Sequence, residues 1–90
     1  MPTSVGRGRR ILVVEGDAER EAALRPVLEA IGYAVVFAAT IDAAIEAARA
    51  DPPNLVLGSP LLGTDERQEL RRRIRLDPTL RDIPVGFLST

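Results

Sequence analysis

The sequence predicts an α/β domain built on a parallel sheet, because strand-like and helix-like segments alternate three times before a fourth strand-like segment. The strand-like segments are short apolar runs rich in branched residues, as in strands covered on both faces: residues 11–14, 34–37, 55–57 and 83–88. The three segments between them carry apolar residues at helical spacing. Right-handed crossovers through the helices would join the parallel strands.

The first helical segment begins near Ala18, with Asp17 as a natural N-cap and Gly32 as a natural stop. Its apolar residues are spaced i, i+3, i+4, i+7, so they form one stripe: Leu24, Val27, Leu28 and Ile31. Pro26 lies inside the helix and should remove one backbone hydrogen bond there.

The second helical segment is capped by Thr40 and ends at Asp51, which precedes two prolines. Its predicted buried face comprises Ile41, Ala44, Ile45 and Ala48. The third is predicted from Asp65 to about Leu76, with Asp65 and Gln68 spaced as a capping box. It has a thin apolar stripe and a run of arginines: Leu70 and Ile74, with Arg67, Arg71, Arg72, Arg73 and Arg75.

Composition narrows the possible chemistry. The chain has 90 residues, a net charge of −1, no cysteine and no histidine, and all 12 of its basic residues are arginines. The sequence therefore excludes a histidine general base, metal binding by cysteine thiolates, and Schiff-base chemistry at a lysine. No apolar run approaches the roughly 20 residues that span a bilayer, so a cytoplasmic location is expected. We predict a flexible tail over residues 1–9 and one domain over residues 10–90.

Several stretches resemble, in order and spacing, the receiver domain of bacterial response regulators. Residues 11–17 (Ile-Leu-Val-Val-Glu-Gly-Asp) resemble its opening strand and acidic cluster, and residues 53–59 resemble the strand that delivers the phosphorylated aspartate. Residues 28–33 and 76–85 resemble its Gly-aromatic turn and its fourth-strand connection. The resemblance implies a flavodoxin-like three-layer α/β/α fold with strand order 2-1-3-4. The family's fifth strand would be missing, because it lies beyond Thr90.

The resemblance also implies a site that has lost its chemistry. Ser59 stands at the phospho-acceptor position, and Gly16 stands where the family places a metal-binding aspartate. Glu15 and Asp17 are the remaining carboxylates, and Ser89 matches the switch hydroxyl. The family's phosphate-pairing lysine has no counterpart. We therefore expect no catalytic residue and no cofactor, with the family's magnesium ion bound weakly or not at all.

Each of these residues also has a structural interpretation. Asp17 can simply cap the first helix, with Glu15 as a solvated remnant, and Ser59 can be a loop residue that fills the old acceptor pocket, where burial disfavours its phosphorylation by a serine kinase. The arginine run can be a solvated face paired with Glu66 and Glu69. Alternatively, the run could contact nucleic acid together with the three N-terminal arginines, Arg7, Arg9 and Arg10. The near-neutral net charge disfavours this interpretation.

The favoured hypothesis is a non-enzymatic pseudo-receiver that acts by protein contact in two-component (phosphorelay) signal transduction. The fourth strand would be an open apolar edge that invites pairing. Its partner would be another protein, the chain's own C-terminal region, or a second copy in a homodimer, and neither a membrane nor nucleic acid is expected. The alternative is a phospho-accepting receiver with altered site residues.

Overall fold

The computed structural model describes residues 9–88 of the chain. Seven elements alternate along it, and they are listed here in chain order: β1 (Arg10–Val14), α1 (Ala18–Ile31), β2 (Ala34–Ala38), α2 (Ile41–Ala50), β3 (Leu55–Gly58), α3 (Thr64–Leu76) and β4 (Val85–Phe87). Most of the predicted N-terminal tail lies outside the described residues, so its boundary stays a prediction.

The four strands form one parallel sheet in the order β2-β1-β3-β4. The predicted fold class and strand order are therefore confirmed. The register aligns the carboxyl ends of the strands, because Val14 pairs with both Ala38 and Gly58, and Gly58 pairs with Phe87. Loops that follow different strands consequently meet at one edge of the sheet.

The sheet face covered by α2 and α3, here the α2/α3 face, holds most of the core. Both helices contribute their predicted stripes to this core, together with strand residues of β1, β2 and β3, and the fully buried side chains include Ile45, Leu70 and Ile74. Thr40 caps α2 as predicted, since its Oγ1 accepts a hydrogen bond from the Ala43 amide at 3.0 Å. Alternating strand residues point to this face, which explains why Leu12, Val14 and Val56 belong to the same cluster.

The opposite face, here the α1 face, carries a smaller core. Three strand residues are buried there, Ile11, Val13 and Val35, with Leu24 and Leu28 packed against them. The predicted stripe of α1 is only half correct, because Val27 and Ile31 are 58% and 57% exposed. Gly32 ends α1 in the left-handed conformation at φ 111°, as its position predicted.

Two predicted boundaries are wrong for identifiable reasons. Helix α3 begins at Thr64 with Gly63 as its N-cap, and Glu66 instead of Gln68 accepts a hydrogen bond from the Gly63 amide at 3.0 Å. The fourth strand is shorter than predicted, because the Ile83 amide donates to the Leu80 carbonyl in a turn at 2.9 Å. Pro84 then separates this turn from the strand.

Candidate functional site

Four of the predicted site residues meet at the carboxyl edge of the sheet. The Glu15 amide donates to the Ala38 carbonyl at 2.8 Å, and the Ser59 amide donates to the Val14 carbonyl at 3.0 Å. These backbone bonds extend the ladder by one residue past β1 and β3 and so place both side chains side by side. With Gly16 and Asp17 they line an open cavity of about 420 Å³. Ser89, the predicted switch hydroxyl, lies outside the described residues.

Glu15 is a buried carboxylate with an arginine beside it. Only 2% of its surface is exposed, which contradicts the expectation of a solvated remnant. Oε2 accepts a hydrogen bond from the Asp17 amide at 3.1 Å, and Oε1 lies 3.3 Å from Nε of Arg20. The Nε–H is not directed at Oε1, so the contact is an ion pair without a hydrogen bond. The guanidinium thus neutralises a charge whose isolated burial would be costly.

Arg20 is the site residue that sequence reasoning missed. It lies in the first turn of α1, five residues after Glu15, and its side chain is two-thirds buried. The available signal was a basic residue in a helical first turn that is otherwise acidic, with Glu19 and Glu21 on either side. Since a positive charge is unfavourable near a helix N-terminus, a basic residue there indicates a local carboxylate partner.

Asp17 is the N-cap of α1, as predicted. Its backbone is extended, and Oδ1 accepts from the Glu19 amide over a long 3.4 Å. The neighbouring Gly16 is exposed, yet a side chain at this position would be crowded by the loop after β2. A Cβ atom there would lie 3.2 Å from the carbonyl oxygen of Ala39, so an aspartate at Gly16 requires this backbone to shift.

Ser59 is buried and has a local hydrogen-bonding role. It is 3% exposed, and its Oγ accepts a hydrogen bond from the Leu61 amide at 3.0 Å. The chain has no histidine that could take the hydroxyl proton. The hydroxyl therefore stabilises the turn into Pro60 and Leu61, and its burial makes access by a protein kinase difficult.

The site does not fit a magnesium ion. Among residues 9–88, no group of three or more histidine, cysteine, aspartate or glutamate side chains is placed to hold a metal. All three carboxylates that line the cavity are engaged: Glu15 with Arg20, Asp17 with the start of α1, and Glu66 with the Gly63 amide. Magnesium requires near-octahedral oxygen ligands, and a guanidinium beside Glu15 repels a divalent cation.

Solved structures of response-regulator receiver domains are similar to this chain. One is the N-terminal domain of a response regulator receiver protein from Methanoculleus marisnigri JR1, 35% identical, covering 89% of this chain and 65% of its own, with a TM-score of 0.78. Another is the non-phosphorylated HemR receiver domain from Leptospira biflexa, which is 31% identical. Its alignment covers 90% of this chain and 64% of the HemR domain, with a TM-score of 0.73. A manganese-bound response regulator, 24% identical, covers 91% and 66% with a TM-score of 0.73.

These similarities establish a receiver-like fold and support a receiver-like role in two-component signalling. The chain spans just under two thirds of the length of each of these structures. No protein-family profile matches the sequence, and no curated protein is similar to it. Within residues 9–88, no helix is long and apolar enough to cross a bilayer.

Proposed function

Because this chain has the fold of response-regulator receiver domains, we propose that it is a pseudo-receiver: a non-enzymatic signalling module that does not accept a phosphoryl group. Its role would be contact with other proteins of a two-component pathway in the cytoplasm. The proposal covers the site residues as well, with Ser59 as the former acceptor position, and Glu15, Gly16 and Asp17 as the remains of an acidic pocket.

The ion pair between Glu15 and Arg20 is the observation that carries this proposal. A receiver reaction needs a divalent cation beside a carboxylate nucleophile, and here an internal guanidinium lies beside the buried carboxylate of this cavity, 3.3 Å from its oxygen. A magnesium ion would have to displace Arg20 and then find further ligands where Gly16 and Ser59 supply none.

Ser59 adds a second, independent obstacle. The donor in a phosphorelay is a phosphohistidine, and a carboxylate is the acceptor that the family uses. A serine hydroxyl has a much higher pKa than a carboxyl and requires activation by a base, and the chain has no histidine to act as one. Its oxygen is already an acceptor for the Leu61 amide.

The test is incubation of the chain with acetyl phosphate, with and without magnesium, followed by intact mass spectrometry. A receiver domain that retains the acceptor aspartate serves as the positive control in the same buffer. We expect no mass gain for the native chain or for Ser59→Asp, because Gly16 and Arg20 still prevent metal binding. A magnesium-dependent gain of one phosphoryl group by the native chain would establish the alternative, a phospho-accepting receiver with altered residues.

A matched series of variants separates the effect of the missing carboxylates from the effect of the Arg20 guanidinium. Gly16→Asp/Ser59→Asp restores both carboxylates, and Gly16→Asp/Ser59→Asp/Arg20→Gln also removes the competing cation. We expect magnesium binding, measured by calorimetry, to be tighter in the triple variant than in the double variant. Equal magnesium affinity in the two would show that Arg20 does not compete for the site.

A further inference from the structure

Within residues 9–88, β2 is the outer strand of the sheet on the side opposite β4. It is likewise an edge in the flavodoxin-like order 2-1-3-4-5, whatever follows β4. Its inner side bonds β1, because the Ala38 carbonyl accepts from the Glu15 amide at 2.8 Å. Bonding groups alternate between the two sides of a strand. The amide and carbonyl groups of Val35 and Phe37 therefore point away from β1, along the outer edge of the sheet.

The sequence of β2 itself does nothing to discourage pairing with another strand. Its five residues, Ala-Val-Val-Phe-Ala, are all apolar, and residues 30–41 contain no charged side chain and no proline. Val36 pairs with Leu12, so it points to the α2/α3 face, where it is 44% exposed. Edge strands usually carry a charge or a proline, because an apolar, uncharged edge is a template for association. A charge at this edge therefore has to come from another element.

Arg25 of α1 places a guanidinium group at the β2 edge. Its Nη1 donates to the outward-pointing carbonyl of Val35 at 3.3 Å, and its Cζ atom lies 5.0 Å from the centroid of the Phe37 ring. Nη1 also lies 3.5 Å from Oε2 of Glu29, one turn later in α1. A strand that paired with β2 would need the same Val35 carbonyl as an acceptor, so it would have to displace the guanidinium.

We propose that Arg25 is a latch over the β2 edge, which keeps this domain from pairing through β2 with a second copy of the chain. The pairing that it blocks is antiparallel, because two copies of one strand related by a twofold axis run in opposite directions. Val35 of one copy would then bond Phe37 of the other, and the two Val36 side chains would meet directly. The inference does not rest on the pseudo-receiver proposal, because none of these residues lines the cavity at the carboxyl edge.

The two contacts of Arg25 determine how strongly the latch opposes this pairing. Each copy has to give up the hydrogen bond to the Val35 carbonyl and the contact with the Phe37 ring before the edges can join. Each contact is modest at a half-exposed site, but a symmetric dimer loses both of them twice. The latch should therefore weaken dimerisation through β2 at least tenfold. A second copy fits the unlatched edge, because Val36 is apolar and no charge on either strand opposes the contact.

The test compares the sedimentation velocity of the native chain and of Arg25→Ala over the same range of concentrations. Arg25→Ala removes both contacts and keeps a good helix former in α1. We expect it to self-associate at least tenfold more tightly than the native chain, with slower hydrogen exchange at the amides of Val35 and Phe37 in the associated form. Glu29→Gln is the matched control, because it removes the ion pair but leaves both contacts of Arg25 with β2. It should sediment as the native chain does.

A double variant shows whether the association occurs at this edge. Arg25→Ala/Val36→Lys places like charges opposite each other in the antiparallel pair, so it should return to the sedimentation of the native chain. Association that persists in the double variant, or that leaves hydrogen exchange at Phe37 unchanged, would assign the contact to another surface and overturn the proposal.

The remaining outcomes also decide the question. Native-like sedimentation of folded Arg25→Ala would show that Arg25 does not protect the edge. An equal change in Glu29→Gln would assign the effect to surface charge instead of to the contacts with β2. If circular dichroism shows that Arg25→Ala does not fold, Arg25→Gln takes its place, because it also lacks the charge and the contact with the ring.

Discussion

The two faces of the sheet differ in how completely their helices cover them. On the α2/α3 face the core cluster contains ten buried residues contributed by strands, helices and the turn after α3. On the α1 face it contains three, all from strands, and none of the 14 residues of α1 is buried. Both faces are apolar in sequence, so the difference arises from coverage rather than from composition.

The number of helices explains this contrast. Among residues 9–88, two helices pack on the α2/α3 face, whereas α1 is the helix that covers the other face, and it contacts chiefly β2. Leu55, Leu57 and Leu88, on the β3 and β4 side of the α1 face, therefore stay only half-buried. Most of the burial that stabilises the fold is concentrated on one face, while α1 can be changed at lower cost.

The largest difference should appear between two leucine truncations. Leu70→Ala removes a side chain that is 0% exposed and should lower the free energy of unfolding by about 2–5 kcal/mol. Leu28→Ala removes a half-buried side chain from α1 and should cost about 1 kcal/mol. Urea unfolding followed by circular dichroism measures both. Equal losses would show that the α1 face contributes as much to stability as the α2/α3 face.

A substitution in α1 should have the opposite sign. Pro26 is exposed and lies in the helix interior, where it removes a hydrogen bond to the preceding turn. Pro26→Ala should raise the free energy of unfolding by about 1–3 kcal/mol, the intrinsic helix penalty of proline less the entropy that the unfolded chain regains.

The control for Pro26→Ala is Ala30→Gly, an exposed position one turn later in the same helix. It should lower the free energy of unfolding by about 1 kcal/mol. If Pro26→Ala destabilises the protein, the backbone geometry that proline imposes is needed for α1 to fit the sheet.

The sequence predicted the elements with strong local signals and missed those set by distant contacts. Asp17, Thr40 and Gly32 act as caps because capping depends on neighbouring residues. The exposure of Val27 was not predictable. Helical spacing says which residues of α1 share a stripe, but it does not say how much of that stripe the sheet covers. Arg20 was missed for the same reason: its pairing with Glu15 depends on how α1 leaves β1.

The ion pairs of the arginine run were also only partly predictable from sequence. Pairing with Glu69 was expected and occurs, through Arg72, but Glu66 bonds the Gly63 amide and pairs with no arginine in the described part of the chain. Helical spacing identifies possible partners, and competition with backbone donors decides among them. Phe87 could not be assigned to Arg67 and Arg71 from sequence, because it lies 16 or more residues away from both and meets them only through the β3–β4 pairing.

The smallest predicted effect concerns Asp77, which gives the α2/α3 face a dependence on pH. The Arg49 guanidinium, with Nε at 2.6 Å from the carboxylate, and the Thr79 amide at 2.8 Å hold the pKa of Asp77 below its ordinary value of 3.8. A lowered pKa in the folded state means that the contribution to stability is complete above the ordinary pKa. It is lost as the pH falls through the folded value.

Asp77→Asn should therefore reduce the free energy of unfolding at neutral pH, and its curve should converge with that of the native chain below about pH 3.8. Thermal unfolding measured across this pH range tests the prediction. Asp42→Asn is the matched control, because Asp42 also pairs with an arginine but its side chain is 87% exposed, where ion pairs contribute little. A constant difference between native and Asp77→Asn curves at all pH values would mean that Asp77 acts through its shape and hydrogen bonds. The pH dependence of this face would then have to come from other carboxylates.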